Sequence, residues 1–117
     1  MDKKDVAIVM GSTSDKEIAA ETVNILKKLQ ITHSVHVISA HRAPEVLRQF
    51  LVDAQAVGYN IFIGIAGGSA HLPGVMASMT STPVIGVPAP TSRGGGIDSL
   101  YSIVQMPPGI PVATVGI

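Results

Sequence analysis

The 117-residue chain is long enough for one domain and well short of the length at which cores divide. Hydrophobic residues make up 46%, yet there are two Phe, two Tyr and no Trp, so Val, Ile, Leu, Met and Ala must fill the interior. Eight basic and eight acidic side chains cancel, which argues against a polymeric nucleic-acid binder, and the absence of Cys excludes a disulfide scaffold and thiol catalysis.

In chain order, the start is charged and carries no long apolar stretch of the signal-peptide kind. Val6–Met10 is then apolar on both faces, as suits a central strand covered by helices on each side, and Gly11 ends it. Ser12 to Asp15 supply N-caps. Ile18, Thr22, Ile25, Leu26 and Leu29 follow at helical spacing, so a helix is expected over residues 15–29, with Lys27 and Lys28 at its negative end. Val35, Val37 and Ile38 mark a second strand closing at Ser39. Pro44 opens a helix whose apolar face is Val46, Leu47, Phe50, Leu51, Ala54 and Val57, ending at Gly58.

A third strand is expected over residues 61–65, a short helix over 73–79, and a fourth strand over 83–87. A Pro-, Ser- and Gly-rich loop then runs to Gly96. A helix from about Asp98 to Val104 and a strand over residues 112–115 complete the chain. The alternation predicts an α/β fold of three layers, flavodoxin-like and doubly wound, with about five mostly parallel strands in a single domain, 1–117. Such a fold usually covers its last strand with another helix, and none is written here. The apolar residues between 54 and 90 are broken by Gly, Pro, Asn and Ser/Thr, which fits a buried sheet better than a bilayer. A cytoplasmic protein with no membrane association is therefore expected.

Ligands of parallel α/β folds collect beyond the carboxyl ends of the strands, and four polar clusters have that address. In the first, Gly11 to Asp15, backbone N–H groups, a hydroxyl and the helix dipole suit a phosphate, while Asp15 suits ribose hydroxyls. This loop is neither a Walker loop nor a dinucleotide fingerprint. In the second, Ser39 to Arg42, Arg42 suits a phosphate or carboxylate, and His41 is the natural proton shuttle. In the third, Gly67, Gly68, Ser69, Ala70 and His71 follow the third strand. The paired glycines allow close approach of a flat ligand and are expected to leave N–H groups free for a carboxylate. His71 either meets the ligand or braces the next helix. The fourth cluster, 91–96, carries Arg93 and reads as a mobile lid. No cluster has metal-ligand spacing: His33 and His36 fall on or beside a strand, on opposite faces, without Cys or acidic partners. The residues alone thus indicate a small phosphorylated metabolite.

The segments VAIVMGSTSD, VISAHRAP, AGGSAHLPG and GIDSLYSIVQMPPGIPVATVGI occur in this order and span nearly the whole chain. In them the chain resembles the catalytic subunits of phosphoribosylaminoimidazole carboxylase, whose bacterial form is N5-carboxyaminoimidazole ribonucleotide mutase. The resemblance implies an isomerase of de novo purine synthesis that interconverts N5-carboxyaminoimidazole ribonucleotide and 4-carboxy-5-aminoimidazole ribonucleotide without metal or organic cofactor. It further implies that Ser12, Ser39 and Arg42 hold the substrate phosphate, Asp15 the ribose, and His41 the travelling proton. Gly67, Gly68, Ser69, Ala70, His71 and Leu72 would surround the imidazole and its migrating carboxylate. The working unit implied is a homo-oligomer, usually an octamer.

Two alternatives accompany this expectation. A related branch carboxylates aminoimidazole ribonucleotide directly with CO2, but it carries Lys after the histidine and a GRSN-like loop, where this chain has Arg42 and GGSAHLPG. A noncatalytic nucleotide-binding subunit is the other. Ile65 stands where the mutases commonly have Gly, Thr91 replaces a common Ser, and Gly94 stands where Leu is usual, which is expected to loosen the 91–96 loop. The family pattern also continues beyond the last strand with a helical segment, so the chain reads as C-terminally truncated relative to it.

Overall fold

The computed structural model describes all 117 residues, Met1–Ile117. Five parallel strands form one sheet: β1 (Val6–Met10), β2 (His33–Val37), β3 (Ile61–Gly67), β4 (Val84–Ala89) and β5 (Ala113–Thr114), in the order β2-β1-β3-β4-β5. The helices between them are α1 (Lys16–Lys28), α2 (Pro44–Val57), α3 (Leu72–Met79) and α4 (Ile97–Val104). This is the expected flavodoxin-like order.

Sequence and burial agree closely in β1. It lies between β2 and β3, and all five of its residues are buried. Asp5 fixes the register at its start. Its carboxylate accepts from Thr32 Oγ1 at 2.7 Å and Asn60 Nδ2 at 3.1 Å, joining the entrances of β2 and β3 to β1. Those hydrogen bonds hold the Asp5 carboxyl below its usual range, the Thr32 hydroxyl contributing most.

Alternate residues feed two cores. On one face Ala7, Val9, Phe62, Ala66 and Val84 pack against Leu47, Phe50, Leu51 and Ala54 of α2, Leu72 and Met76 of α3, and Ile103 of α4. On the other, Val6, Ile8, Met10, Ile65 and Ala89 meet Ala19 and Leu26 of α1. Only α1 lies on this second face, so Ile63, Ile85 and Val87 are half-buried there, and Val35 and Val37 of the edge strand are exposed. Gly64 and Gly86 are neighbours in register on the first face. A Cβ at Gly86 would lie 2.5 Å from Ile103 Cγ2, so this glycine lets α4 settle directly on the sheet.

Several boundaries differ from the sequence expectations: β3 runs on to Gly67, β5 is only Ala113–Thr114, and three further differences have a structural cause. Residues 13–15 form a 3₁₀ turn capped by Ser12, so α1 begins at Lys16 rather than Asp15. The second strand begins at His33 and ends at Val37, because pairing with β1 starts at Val6 opposite His33; Ile38 turns into the core instead. The fourth strand runs on through Pro88, which the expectation gave to a loop. Proline is compatible with extended backbone and sacrifices only its own N–H at this strand end.

Candidate active site at the carboxyl ends of the strands

The strand order reverses between β1 and β3: the chain leaves β1 for β2 on one side and then builds β3, β4 and β5 on the other. The loops therefore part at that point, and a cleft of about 440 Å³ opens there. Its walls include Ser12, Asp15, Ser39, His41, Arg42, Gly67, Gly68, Ser69, His71 and Leu72, which brings ten of the sequence-derived residues to one place. Ala70 is the exception. It is 1% exposed and its side chain belongs to the core beneath the loop.

The first wall is the turn after β1. Ser12 Oγ accepts from Ser14 N–H at 3.3 Å and from the Ser14 hydroxyl at 3.1 Å, leaving its own proton for a ligand. Asp15 is only 8% exposed, yet its carboxylate has no hydrogen-bond partner in the protein and does not cap α1. Burial pushes its pKa up, since a desolvated carboxylate resists ionisation. An acceptor held unpaired at the edge of a cleft is suited to hydroxyl donors.

The second wall is the loop between β2 and α2. Ser39 Oγ accepts from Arg42 N–H at 3.1 Å, and the Ala43 N–H closes onto Ser39 C=O at 2.9 Å. This tight turn puts the exposed side chains of His41 and Arg42 at the rim. His41 Nε2 lies 2.8 Å from His71 Nδ1, with the rings edge to face and their centroids 4.9 Å apart. One ring must donate and the other accept, so this contact couples the tautomers of the two imidazoles. The sequence left His71 between meeting a ligand and bracing the next helix; its side chain makes no capping bond to α3 and contacts His41 instead.

The third loop departs from expectation. Gly67 and Gly68 were expected to leave N–H groups free, but Gly68 N–H donates to Ser99 Oγ at 2.9 Å. Ala70 N–H donates to Gly68 C=O, and His71 N–H to Ser69 C=O, at 2.8 and 2.9 Å. The Ser69 amide is left without a protein acceptor, and Ser69 is an exposed residue of the cleft wall.

The fourth loop also differs. Thr91 Oγ1 lies 2.9 and 3.0 Å from the two Asp98 carboxylate oxygens and accepts from Gly94 N–H at 3.1 Å. Gly96 N–H adds a bond to the same carboxylate at 3.3 Å. These contacts, with Thr91 foremost, hold the Asp98 carboxyl below the usual carboxylate range. The expected loose lid is thus tied to the start of α4. Gly94 is part of the tie rather than a weakness in it, because a Cβ there would lie 2.5 Å from Asp98 Oδ1. Thr91, Arg93 and Asp98 all line the cleft. Sequence reasoning gave Asp98 only the start of a helix, although it opens the element after β4, the address that identified the other clusters.

No group of three or more His, Asp or Glu side chains is placed to hold a metal ion, and no helix is long and apolar enough to cross a membrane. The cleft offers two guanidinium groups, two carboxylates and a histidine pair. That set suits an anionic ligand with a hydroxylated centre and a proton to move.

Comparison with known proteins gives one consistent result. The model of the AIR carboxylase family matches residues 5–117. The N5-carboxyaminoimidazole ribonucleotide mutase of Aquifex aeolicus is 56% identical over 112 residues, 96% of this chain and 67% of that protein. The enzyme of the same name from Saccharolobus solfataricus is 54% identical over 96% of this chain and 71% of its own length. A crystal structure of Treponema denticola PurE superposes with a TM-score of 0.88 at 33% identity, covering 94% of this chain and 70% of the other. The chain thus spans about two thirds of the length of these relatives.

Proposed function

The chain belongs to the AIR carboxylase family, and on that footing we propose that it is an isomerase of purine biosynthesis, converting N5-carboxyaminoimidazole ribonucleotide to 4-carboxy-5-aminoimidazole ribonucleotide. The observation that carries the reading is the His41–His71 contact of 2.8 Å, set across one cleft from Ser12, Asp15, Ser39 and Arg42. A proton-handling pair and a phosphate- and ribose-suited wall are what this reaction requires.

In this reading Ser12, Ser39 and Arg42 take the phosphate, with the Arg42 fork supplying charge-assisted donors. Asp15 accepts from the ribose hydroxyls. The base then lies between His41 and the turn formed by Gly67, Gly68, Ser69, Ala70, His71 and Leu72. Protonated His41 donates to N5 as the carbamate C–N bond breaks, giving aminoimidazole ribonucleotide and CO2. Carbon 4 of the ring attacks the CO2, and neutral His41 removes the C4 proton, which restores its starting state. The proton given equals the proton taken, so no cofactor is consumed. Holding CO2 beside the ring matters because escape would uncouple the two halves, and confinement supplies a large effective concentration.

Direct carboxylation with free CO2 is the less favoured reading, since Arg42 follows His41 and the relatives at 56% and 54% identity carry the mutase name. The proposed working unit is a cytoplasmic homo-oligomer of this single domain, an octamer as the resemblance implies. Exposed Val35 and Val37 and the thinly covered face around Ile63 and Val87 are consistent with burial against further chain. The deciding experiment offers each ribonucleotide separately. Conversion of the N5-carboxylated compound without added CO2 supports the mutase. A requirement for the uncarboxylated compound plus CO2 would replace it with the carboxylase, and binding without either turnover would leave a noncatalytic subunit.

A further inference from the structure

Gly68 is the pivot of the turn that leaves β3, with φ +69, a backbone conformation that glycine adopts readily. Both peptide planes that meet at its Cα are held by α4. On one side Gly68 N–H donates to Ser99 Oγ at 2.9 Å, and the Ser99 hydroxyl in turn donates to Ala89 C=O at 2.6 Å. On the other, Ser102 Oγ lies 3.1 Å from Gly68 C=O, sharing its proton with Asp98 C=O at 2.8 Å. Ser99 has no exposed surface. A hydroxyl buried so completely carries a desolvation cost that is offset only by partners, and its two partners here lie at the ends of β3 and β4 rather than in its own helix.

The consequence follows from peptide geometry. In a planar trans peptide the C=O and the next N–H point in opposite directions. Holding Gly68 C=O toward Ser102 on α4 therefore turns the Ser69 N–H away from α4. That amide has no protein acceptor, and Ser69 lines the cleft with His41 and His71.

We propose that Ser99, assisted by Ser102, is a positioning residue for carboxylate transfer: together they lock the Gly68 turn so that the Ser69 N–H faces the migrating carboxylate. The role rests on the mutase reading. Neither serine touches substrate. Their effect passes through the Gly68 backbone, so loss of the clamp weakens the hold on the carboxylate while leaving the phosphate and ribose contacts of the other wall in place.

The test compares wild type with Ser99→Ala, Ser102→Ala and Ser102→Thr, measuring kcat, KM and the fraction of substrate released as uncarboxylated ribonucleotide. Leaving the part-buried Gly68 N–H unpaired is expected to lower kcat of Ser99→Ala by about 10- to 100-fold. KM should stay within about threefold, because binding shared by ground and transition states is retained. The uncarboxylated fraction should rise. Ser102→Ala should show a smaller loss, and Ser102→Thr, which keeps the hydroxyl, should recover it. Amide hydrogen exchange supplies a second measurement, with Gly68 and Ser69 losing protection in Ser99→Ala while β1 amides hold theirs. A folded Ser99→Ala protein with wild-type kcat and coupling overturns the positioning role. If that variant does not fold, a Ser102→Ala protein identical to wild type in all three quantities overturns it. A wild-type chain that turns over neither ribonucleotide overturns the mutase reading and this role with it, so the two failures are distinct.

Discussion

Replacing Gly86 by Ala tests whether the seat of α4 on the sheet is as tight as the coordinates make it. The backbone at this strand residue needs no unusual conformation, so the added methyl acts only through space. Its Cβ would lie 2.5 Å from Ile103 Cγ2, 2.8 Å from Val112 Cγ1 and 3.3 Å from Pro73 Cβ. Carbon atoms rest at about 3.5–4.0 Å, so Ile103 or its helix must retreat by about 1 Å. Ile103 has no exposed surface, so it cannot retreat into solvent. Overpacking of this kind costs about 1–3 kcal/mol, and contact on three sides places Gly86→Ala in the upper half of that range. For a chain of this size each kcal/mol moves Tm by about 3–5 °C, so a fall of about 6–15 °C is expected in a calorimetric or circular-dichroism melt. A domain with about 5–15 kcal/mol of stability remains folded, and kinetics can still be read at low temperature. Because the displaced helix also carries Ser99, kcat should drop while KM changes little. Gly116→Ala is the control: no atom lies within 4 Å of a Cβ there, and its effect should stay within about 0.5 kcal/mol. A Gly86→Ala protein melting with the wild type would refute the packing argument and the route from α4 to the Gly68 turn.

Three further outcomes are expected. His41→Asn should lower kcat by about 10²- to 10⁴-fold, the usual weight of general acid–base catalysis, with nucleotide binding retained in calorimetric titration; unchanged turnover would sink the His41 mechanism. Because His41 is exposed, the same variant should melt within about 0.5 kcal/mol of wild type. Asp15→Asn should stabilise the chain near neutral pH while weakening ribonucleotide binding. Burial raises the Asp15 pKa, so the folded chain keeps the proton to higher pH than the unfolded chain, and stability falls as pH rises through that window. The gain should vanish in denaturant titrations well below the ordinary value of 3.8, and an Asn variant less stable at neutral pH would contradict it. His36 behaves in the opposite sense. Packed at 4.4 Å against the Phe50 ring and 2.7 Å from Ser34 Oγ, it is desolvated and its pKa lies below 6.5. The unfolded chain therefore takes up a proton first, and stability is lost as pH falls below that value. The slope is at most about 1.4 kcal/mol per pH unit, and His36→Phe should flatten it.

The layout of the fold was readable because most strands are short apolar runs closed by Gly, Ser or Pro, and each helix keeps its own period. The uniform burial of β1 was visible in Val6–Met10 itself. What local pattern does not carry is where a strand stops when a distant partner decides. The second strand starts at His33 because Asp5 binds Thr32, 27 residues away in the chain, and Val6 then pairs with His33. Pro88 stays in β4 for a similar reason: pairing with Ala66 outweighs the local signal for a turn.

The site divides along the same line. His41, Arg42, Asp15 and the glycine turn were legible because strand ends are where such folds leave loops, and those loops hold side chains capable of chemistry. The availability of the glycine amides was not legible. A Gly-Gly pair looks like an open nest in any sequence, but whether its N–H groups are free depends on what lies behind them. Here it is Ser99, 31 residues later and on another helix, that takes the Gly68 N–H. Ser99 reaches it because Gly86 lets Ile103 settle onto β4 and bring α4 close to the turn. The thinnest residue of one strand thereby helps decide which amides of a different loop are taken up by protein acceptors. Asp98 was overlooked through the same arrangement: as a helix-starting residue it is unremarked, and only its clasp on Thr91 places it on the wall of the cleft.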